Sequence, residues 1–354
     1  MSLEKRVPRK KKEWRNRILL RRSKRIFSLI SSLVKMLAIK HIFNYSHRLK
    51  IFAVLLMILI VGIIYLNMNM FSENVNLIHL YKVTKQKHQG QFCTIFTSWT
   101  TRKDKAIVHN NTLHLWTQLG PDIQLVLFTN ESILAQEALA LGWKVLPILH
   151  VACGNLPVLK SMFLDVQRNF PSKVYGYANS DILFDSTLNT TLRSILKHEQ
   201  FYQNHGFLIT GRRTNVNFHN LTVKSIRNLS KVASKGSLAR IWGEDYFFTG
   251  TNFPWSTFPN MVIGRVAFDN YIIIFGNINK ACMIDTTMSI LAVHQTTSDG
   301  NLASSKRPNA KCNTKLIKPQ KYRQGYTDCI PLETRYDFQG IVQIIKRTTP
   351  PLCH

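Results

Sequence analysis

Between residues 92 and 178 the chain alternates short apolar runs with amphipathic stretches. The apolar runs are Cys93–Trp99, Ile123–Thr129, Lys144–Leu149 and Val174–Ala178. They are short, and most are rich in β-branched or aromatic residues, which predicts strands. Three helices are predicted between them. Asn110–Gly120 reads as a helix closed by Gly120. Ile133–Gly142 reads as a second, capped by Ser132, with Gly142 in a left-handed C-terminal position. Asn155 is the expected cap of a third, whose Leu156, Leu159, Met162, Phe163, Val166 and Phe170 share one face. This alternation predicts an α/β domain with a mostly parallel, Rossmann-like sheet and helices on both faces.

Ligands of such sheets bind outside the carboxyl ends of the strands. The fourth predicted strand ends in Asn179-Ser180-Asp181, a polar triplet within "VYGYANSDILFD". A buried carboxylate is costly unless it is paired or holds a metal. At a strand end it faces a crevice instead. Asp181 and Asn179 offer hard oxygen ligands of the kind that suit Mg²⁺ or Mn²⁺, with substrate phosphate completing the shell. Taken alone, the triplet also reads as an Asx-turn that ends the strand.

The run Ile51–Leu66 is apolar and uninterrupted by charge. With its flanks, 51–68, it is long enough to span a bilayer of about 30 Å; a buried core helix is the other reading. Charge favours the span. The chain carries a net +28, and residues 1–50 hold 16 Lys/Arg against two acids, Glu4 and Glu13. The positive-inside rule then puts this arm in the cytosol and the body in a lumen. The moderately apolar segment 26–43 reads as an interfacial helix on anionic lipid. Beside an anchor, lipid contact fits the basic arm better than nucleic acid does. Residues 69–91 read as a stem, and 92–354 as the lumenal domain.

All six cysteines lie beyond the run, as do five Asn-x-Ser/Thr sites at Asn110, Asn130, Asn189, Asn220 and Asn228. The cysteine spacings are irregular and do not suit zinc. An oxidising compartment allows disulfides; Cys312–Cys329 is the favoured pair, and Cys93 reads as a core residue.

With the stretches Gly206–Val216, Trp242–Phe248, Phe258–Ile273 and Ile290–Gln295, these features make residues 92–300 resemble Golgi glycosyltransferases of the GT-A fold, the nucleotide-diphospho-sugar transferases. The resemblance implies a type II membrane protein of the Golgi or ER. It would move a sugar from a nucleotide-sugar donor to a glycan or glycoconjugate, with Mn²⁺ or Mg²⁺ bridging the donor diphosphate. Carried over by position, Asp181 and His294 would hold the metal. Thr97, Ser98 and Arg102 would contact the nucleotide. Asp245, with Glu244 beside it, would take the acceptor proton, although adjacent acids are also common at helix starts. Arg212, Arg213, Arg265 and Asp269 would grip phosphate or an anionic acceptor, or serve as salt-bridge partners. The basic stretch 306–323 reads as solvated loop or as a surface for an acidic glycan. One position departs from the family pattern: Asn179 stands where the triplet normally begins with Asp. That departure supports the alternative of a non-catalytic glycan-binding or scaffolding protein on the same fold.

Overall fold

The computed structural model describes residues 90–353, apart from 199–205, 220, 302 and 318. The basic arm, the apolar run 51–68 and the stem through residue 89 lie outside the described residues. The expected membrane-crossing helix is corrected here. Among the described residues no helix is long and apolar enough to cross a membrane. The longest have 11 residues, which reach only about 16 Å against a hydrocarbon core of about 30 Å.

The first strands follow the apolar runs. They are β1 (Gln91–Ser98), β2 (Ile123–Phe128) and β3 (Lys144–Leu146). A small hairpin, β4 (Val151–Ala152) with β5 (Leu156–Pro157), precedes β6 (Ser172–Ala178). Helix α1 covers Ala106–Trp116, α2 Ser132–Ala140, and α3 Leu159–Asn169. Two expected caps are displaced. Ser132 lies inside α2, whose cap position is Glu131. Asn155 is not a cap but sits in the hairpin turn at φ 69°; the pairing of Leu156 with Ala152 delays the helix by three residues. Gly120 and Gly142 do take positive φ, 132° and 83°.

After β6 the chain forms β7 (Ile182–Phe184), α4 (Thr187–Leu196), β8 (Phe207–Arg212) and β9 (Thr214–Asn217). Helix α5 (Leu229–Ala233), β10 (Ser237–Leu238) and β11 (Glu244–Thr249) follow. The last elements are α6 (Phe268–Ile278), β12 (Cys282–Asp285), β13 (Ala292–Thr296), β14 (Leu332–Tyr336) and β15 (Val342–Lys346). Nine strands make one sheet in the order β15-β14-β12-β8-β11-β6-β1-β2-β3. Five of its pairings are parallel; β11 runs against both β6 and β8, and β15 against β14. The mixed α/β sheet is thus mostly parallel. A second sheet, β10-β9-β13-β7, stands at the carboxyl ends of β6 and β8.

Both faces of the large sheet are buried. In β1, Cys93 and Ile95 join one apolar cluster with Trp116, Trp143 and Phe184, while Phe96 joins another with Phe163, Trp255 and Phe275. This is the alternation that a strand buried on both faces must show. Two disulfides join Cys153 to Cys312 and Cys329 to Cys353. The expected Cys312–Cys329 pair is therefore corrected: each partner is met through tertiary folding, and Cys312 finds its partner 159 residues away. Cys93 is fully buried and free.

Gly176 in β6 faces Phe248 of β11, and a Cβ there would overlap the Phe248 ring. The two strands are paired at this position, so the backbone cannot retreat. Gly176→Ala is expected to lower stability by about 1–3 kcal/mol, the usual cost of overpacking a core. Urea unfolding of the two proteins measures it.

Candidate functional site

The triplet after β6 lies where parallel strands β6, β1 and β2 end, beside a cavity of about 290 Å³. Strand β11 enters the same edge from the opposite direction. Its amino end therefore lies beside the carboxyl ends of β6 and β8, with Glu244 opposite Arg212 and Tyr246 opposite Ala178. Apart from their possible role as a base, the adjacent acids also read as a helix start. They begin a central strand instead, because Phe247 and Phe248 pair on both sides.

This register brings Asp245 against Asn179. The Asn179 amide N–H donates to the Asp245 carbonyl (2.9 Å), and its side-chain Nδ2 donates to Asp245 Oδ1 (2.6 Å). Tyr177 OH donates to Asn179 Oδ1 (2.8 Å). Asp245 Oδ2 pairs with Arg213. Both carboxylate oxygens of Asp245 and the carbonyl oxygen of Asn179 are thus engaged. An aspartate at 179 would lose the donor and set two carboxylates against each other, so asparagine suits this place.

Asp181 is held differently. Its backbone carbonyl accepts from Gln295 N (2.9 Å), which fixes it beside β13. His294, opposite Ile182 in that pairing, brings Nε2 to 3.3 Å from Asp181 Oδ2. His294 Nδ1 lies 3.1 Å from Thr296 Oγ1. The other oxygen, Asp181 Oδ1, is buried with no partner. Burial alone would raise the pKa of Asp181. His294, Arg213 and Lys105 outweigh that and hold it below the usual carboxylate range.

The donor set fits a divalent ion. An orphaned carboxylate oxygen beside an imidazole offers two protein ligands, and Mg²⁺ or Mn²⁺ commonly takes only one or two, with water and phosphate oxygens supplying the rest. The 3.3 Å contact of His294 is with Oδ2, so the orphaned Oδ1 is the oxygen left with a coordination site to fill. The one cluster of three potential ligands among the described residues, Asp328, Cys329 and Cys353, is a different matter. Its two sulfurs form a disulfide and cannot serve as thiolates.

Of the other expected residues, Ser98, Arg102 and Arg265 line the cavity with Asn179, Asp181, Arg213, Asp245 and His294. Ser98 donates to the Phe128 carbonyl (2.8 Å), and Arg102 pairs with Asp104 and, at 3.5 Å, with Asp299. Four expected residues do not line it. Thr97 is fully buried, because alternation along β1 turns it into the core. Arg212 ends β8 and directs NH1 to the Ala239 carbonyl (3.4 Å). Asp269 sits in the first turn of α6 and accepts from Asn270 N (2.9 Å); burial pushes its pKa up to about 6. Glu244 is fully buried with both oxygens unpartnered. A base must reach the acceptor proton, and Glu244 does not.

Sequence reasoning missed Tyr177, Lys105 and His109, which line the cavity together with Arg307 of the basic stretch 306–323. His109 stacks on Trp99 with centroids 5.0 Å apart, and burial lowers its pKa to about 4 although Asp181 pulls the other way. Tyr177 had a local signal, two residues before Asn179 on the same strand face. His109 and Lys105 carried none, since a solvated helix start has the same composition.

No protein-family model matches the chain, and no curated protein matches it. Solved structures similar to it include glucosyl-3-phosphoglycerate synthase from Mycobacterium tuberculosis with Mg²⁺ and uridine diphosphate. That likeness has 11% identity over 77% of this chain and 91% of that one, with a TM-score of 0.35. Two others are the inositol-1-phosphate CTP transferase from T. maritima (15% identity, 60% and 88% covered, TM-score 0.28) and CMP:2-keto-3-deoxy-manno-octonic acid synthetase with CTP (9%, 64% and 97%, 0.28). These neighbours are nucleotide-sugar or nucleotidyl transferases. At such scores the likenesses carry no argument about what this chain does.

Glu244 generates a prediction. Burial, and then the neighbouring Asp269, push its pKa well above the ordinary 4.5. The folded protein therefore keeps a proton that the unfolded chain releases above that value. Stability from this group is intact below about pH 4.5 and falls as pH rises, by about 1.4 kcal/mol per pH unit until the native group titrates. Glu244→Gln removes that slope. Urea unfolding between pH 5 and 8 should show the variant gaining on the wild type as pH rises; parallel curves would place an ionised Glu244 in the folded protein.

Proposed function

We infer that this chain is a metal-dependent transferase that moves a sugar from a nucleotide-diphosphate donor to a glycan or glycoconjugate acceptor. One observation carries the reading: Asp181, with a buried unpartnered oxygen and His294 at 3.3 Å, at the carboxyl ends of parallel strands beside a cavity rich in arginine. Asp181 and His294 would hold Mn²⁺ or Mg²⁺. When bound, the ion would offset the charge of the diphosphate as the sugar leaves. Arg102 and Lys105 lie on the same cavity wall and suit phosphate oxygens. Arg213 has a double role in this reading. A diphosphate would compete for its guanidinium, and the loss of that partner would leave Asp245 Oδ2 free to accept the proton of the attacking hydroxyl. The two disulfides support work in an oxidising compartment.

A second reading is favoured by Asn179 and Asp245. With both oxygens of Asp245 engaged, the same cavity could bind a glycan or nucleotide without turnover.

Calorimetric titration of uridine diphosphate, with Mn²⁺ and with chelator, tests the metal site. Wild type is expected to bind at least ten-fold tighter with Mn²⁺, and Asp181→Ala and His294→Ala to lose that gain. Affinities that ignore both the metal and Asp181 would leave only an ion pair at this place. Turnover separates the two readings. Asp245→Asn is expected to lower kcat by about 10²–10⁴ with donor affinity little changed, whereas a binding protein shows no sugar transfer or donor hydrolysis in any form.

A further inference from the structure

Five cations line the cavity, Arg102, Lys105, Arg213, Arg265 and Arg307, against two carboxylates, Asp181 and Asp245. Most of the cations have anionic partners. Arg213 pairs with Asp245. Asp299 is shared by Arg102 (3.5 Å), Lys105 (3.4 Å) and Arg307 (3.4 Å). Arg265 is the exception. It is 9% exposed, and among the described residues it meets no carboxylate. Its Nε donates to the Pro308 carbonyl (2.8 Å) and its NH1 to the Gly264 carbonyl (2.7 Å). Two of five N–H donors are thereby used, and the residue itself lines the cavity.

An uncompensated guanidinium at such burial is costly, and the surroundings hold it in place. Asn313, fully buried, clamps the loop: its Oδ1 accepts from Val262 N (2.9 Å), and its Nδ2 donates to the carbonyls of Val262 (2.9 Å) and Val266 (3.3 Å). Ile263 N donates to the Pro157 carbonyl (3.2 Å). The loop then turns through Gly264 at φ 67° and Ala267 at φ 83°. A left-handed alanine costs about 1–2 kcal/mol, and such conformations persist only where the surroundings over-determine them. Arg307, one residue before the carbonyl that holds Arg265, brings a second cation, itself paired with Asp299, and no carboxylate for Arg265.

We propose that Arg265, supported by Arg307, anchors an oxyanion subsite for an acceptor that carries a carboxylate or sulfate group. This rests on the nucleotide-sugar reading for the word acceptor; the subsite itself rests on Arg265. The fixed, half-used guanidinium fork suits the two oxygens of a carboxylate, or an edge of a sulfate. The donor diphosphate has its own cations in Arg102, Lys105 and Arg213, so Arg265 remains available when the donor is bound.

The test uses the full-length protein and three sugars, glucose, glucuronate and glucose 6-sulfate. Each is titrated into wild type, Arg265→Gln, Arg265→Lys and Arg307→Gln, with and without uridine diphosphate and Mn²⁺. Wild type is expected to bind at least one anionic sugar ten-fold or more tighter than glucose, and the comparison of glucuronate with sulfate identifies the anion. Arg265→Gln is expected to weaken that sugar by about 10–100-fold while uridine diphosphate affinity changes less than two-fold. Arg265→Lys keeps the charge but not the fork and falls between the two. If thermal unfolding shows that Arg265→Gln does not fold, the more exposed Arg307→Gln decides, with a two- to ten-fold loss for the anionic sugar expected and no change overturning the proposal. Equal binding of glucose and both anionic sugars by wild type overturns it. So does a parallel loss of uridine diphosphate in Arg265→Gln, which would assign Arg265 to the donor. Failure of wild type to bind uridine diphosphate, with discrimination between sugars intact, would sink the nucleotide-sugar reading and leave the oxyanion subsite standing.

Discussion

The reversed direction of β11 is the constraint on which the site depends. In a purely parallel sheet the strand between β6 and β8 would deliver its carboxyl end to the crevice. Because β11 runs the other way, it delivers its first residues, Glu244 and Asp245. The period of two then separates them: Asp245 faces the cavity and meets Asn179 and Arg213, while Glu244 is turned into a fully buried setting. One strand start thus supplies an acid paired with Arg213 and a fully buried acid whose pKa burial raises, side by side. The second sheet completes the arrangement. Its β13 brings His294 to Asp181, and β9, continuing from β8, carries the chain past Arg213.

Electrostatics in the cavity follow a graded pattern. Among the described residues Asp245 is fully engaged, Asp299 serves three cations, Asp181 has one oxygen without a partner, and Arg265 has no counter-ion. Folding alone gives no reason to leave buried charge unmatched, since paired or apolar replacements cost less. The unmatched groups are therefore the places at which a ligand has something to gain, a cation at Asp181 and an anion at Arg265.

Much of the first half of the fold was legible along the chain. The strands β1, β2, β3 and β6 and the helices between them have clear apolar periodicities, and a triplet as polar as Asn179-Ser180-Asp181 can follow such a strand only at its end. The rest was set by partners distant in sequence. The adjacent acids Glu244 and Asp245 read as a helix start until β6 and β8 flank residues 244–249. Asn155 looked like a cap because the hairpin that occupies it has no local signature beyond a glycine. Thr97 and Ser98 are neighbours of similar chemistry, yet the pleat buries one and leaves the other at the cavity. His294 was legible as a residue near a strand end, but its approach to Asp181 comes from pairing across more than a hundred residues. The clamp by Asn313 carried no signal at all, since a lone asparagine in a basic stretch resembles any solvated turn.

The disulfide between Cys153 and Cys312 ties the β4–β5 hairpin to the segment that holds Asn313 and Arg307, two walls of the same cavity. A cross-link over 159 residues removes chain entropy from the unfolded state worth about 5 kcal/mol in the simplest treatment. The consequence concerns manufacture. Chains made in a reducing cytosol would lose this cross-link and leave the basic wall tethered by hydrogen bonds and the Arg307–Asp299 ion pair. Such preparations would look folded by their secondary structure and still be deficient in ligand binding, and the thiol count of a sample is as informative as its purity.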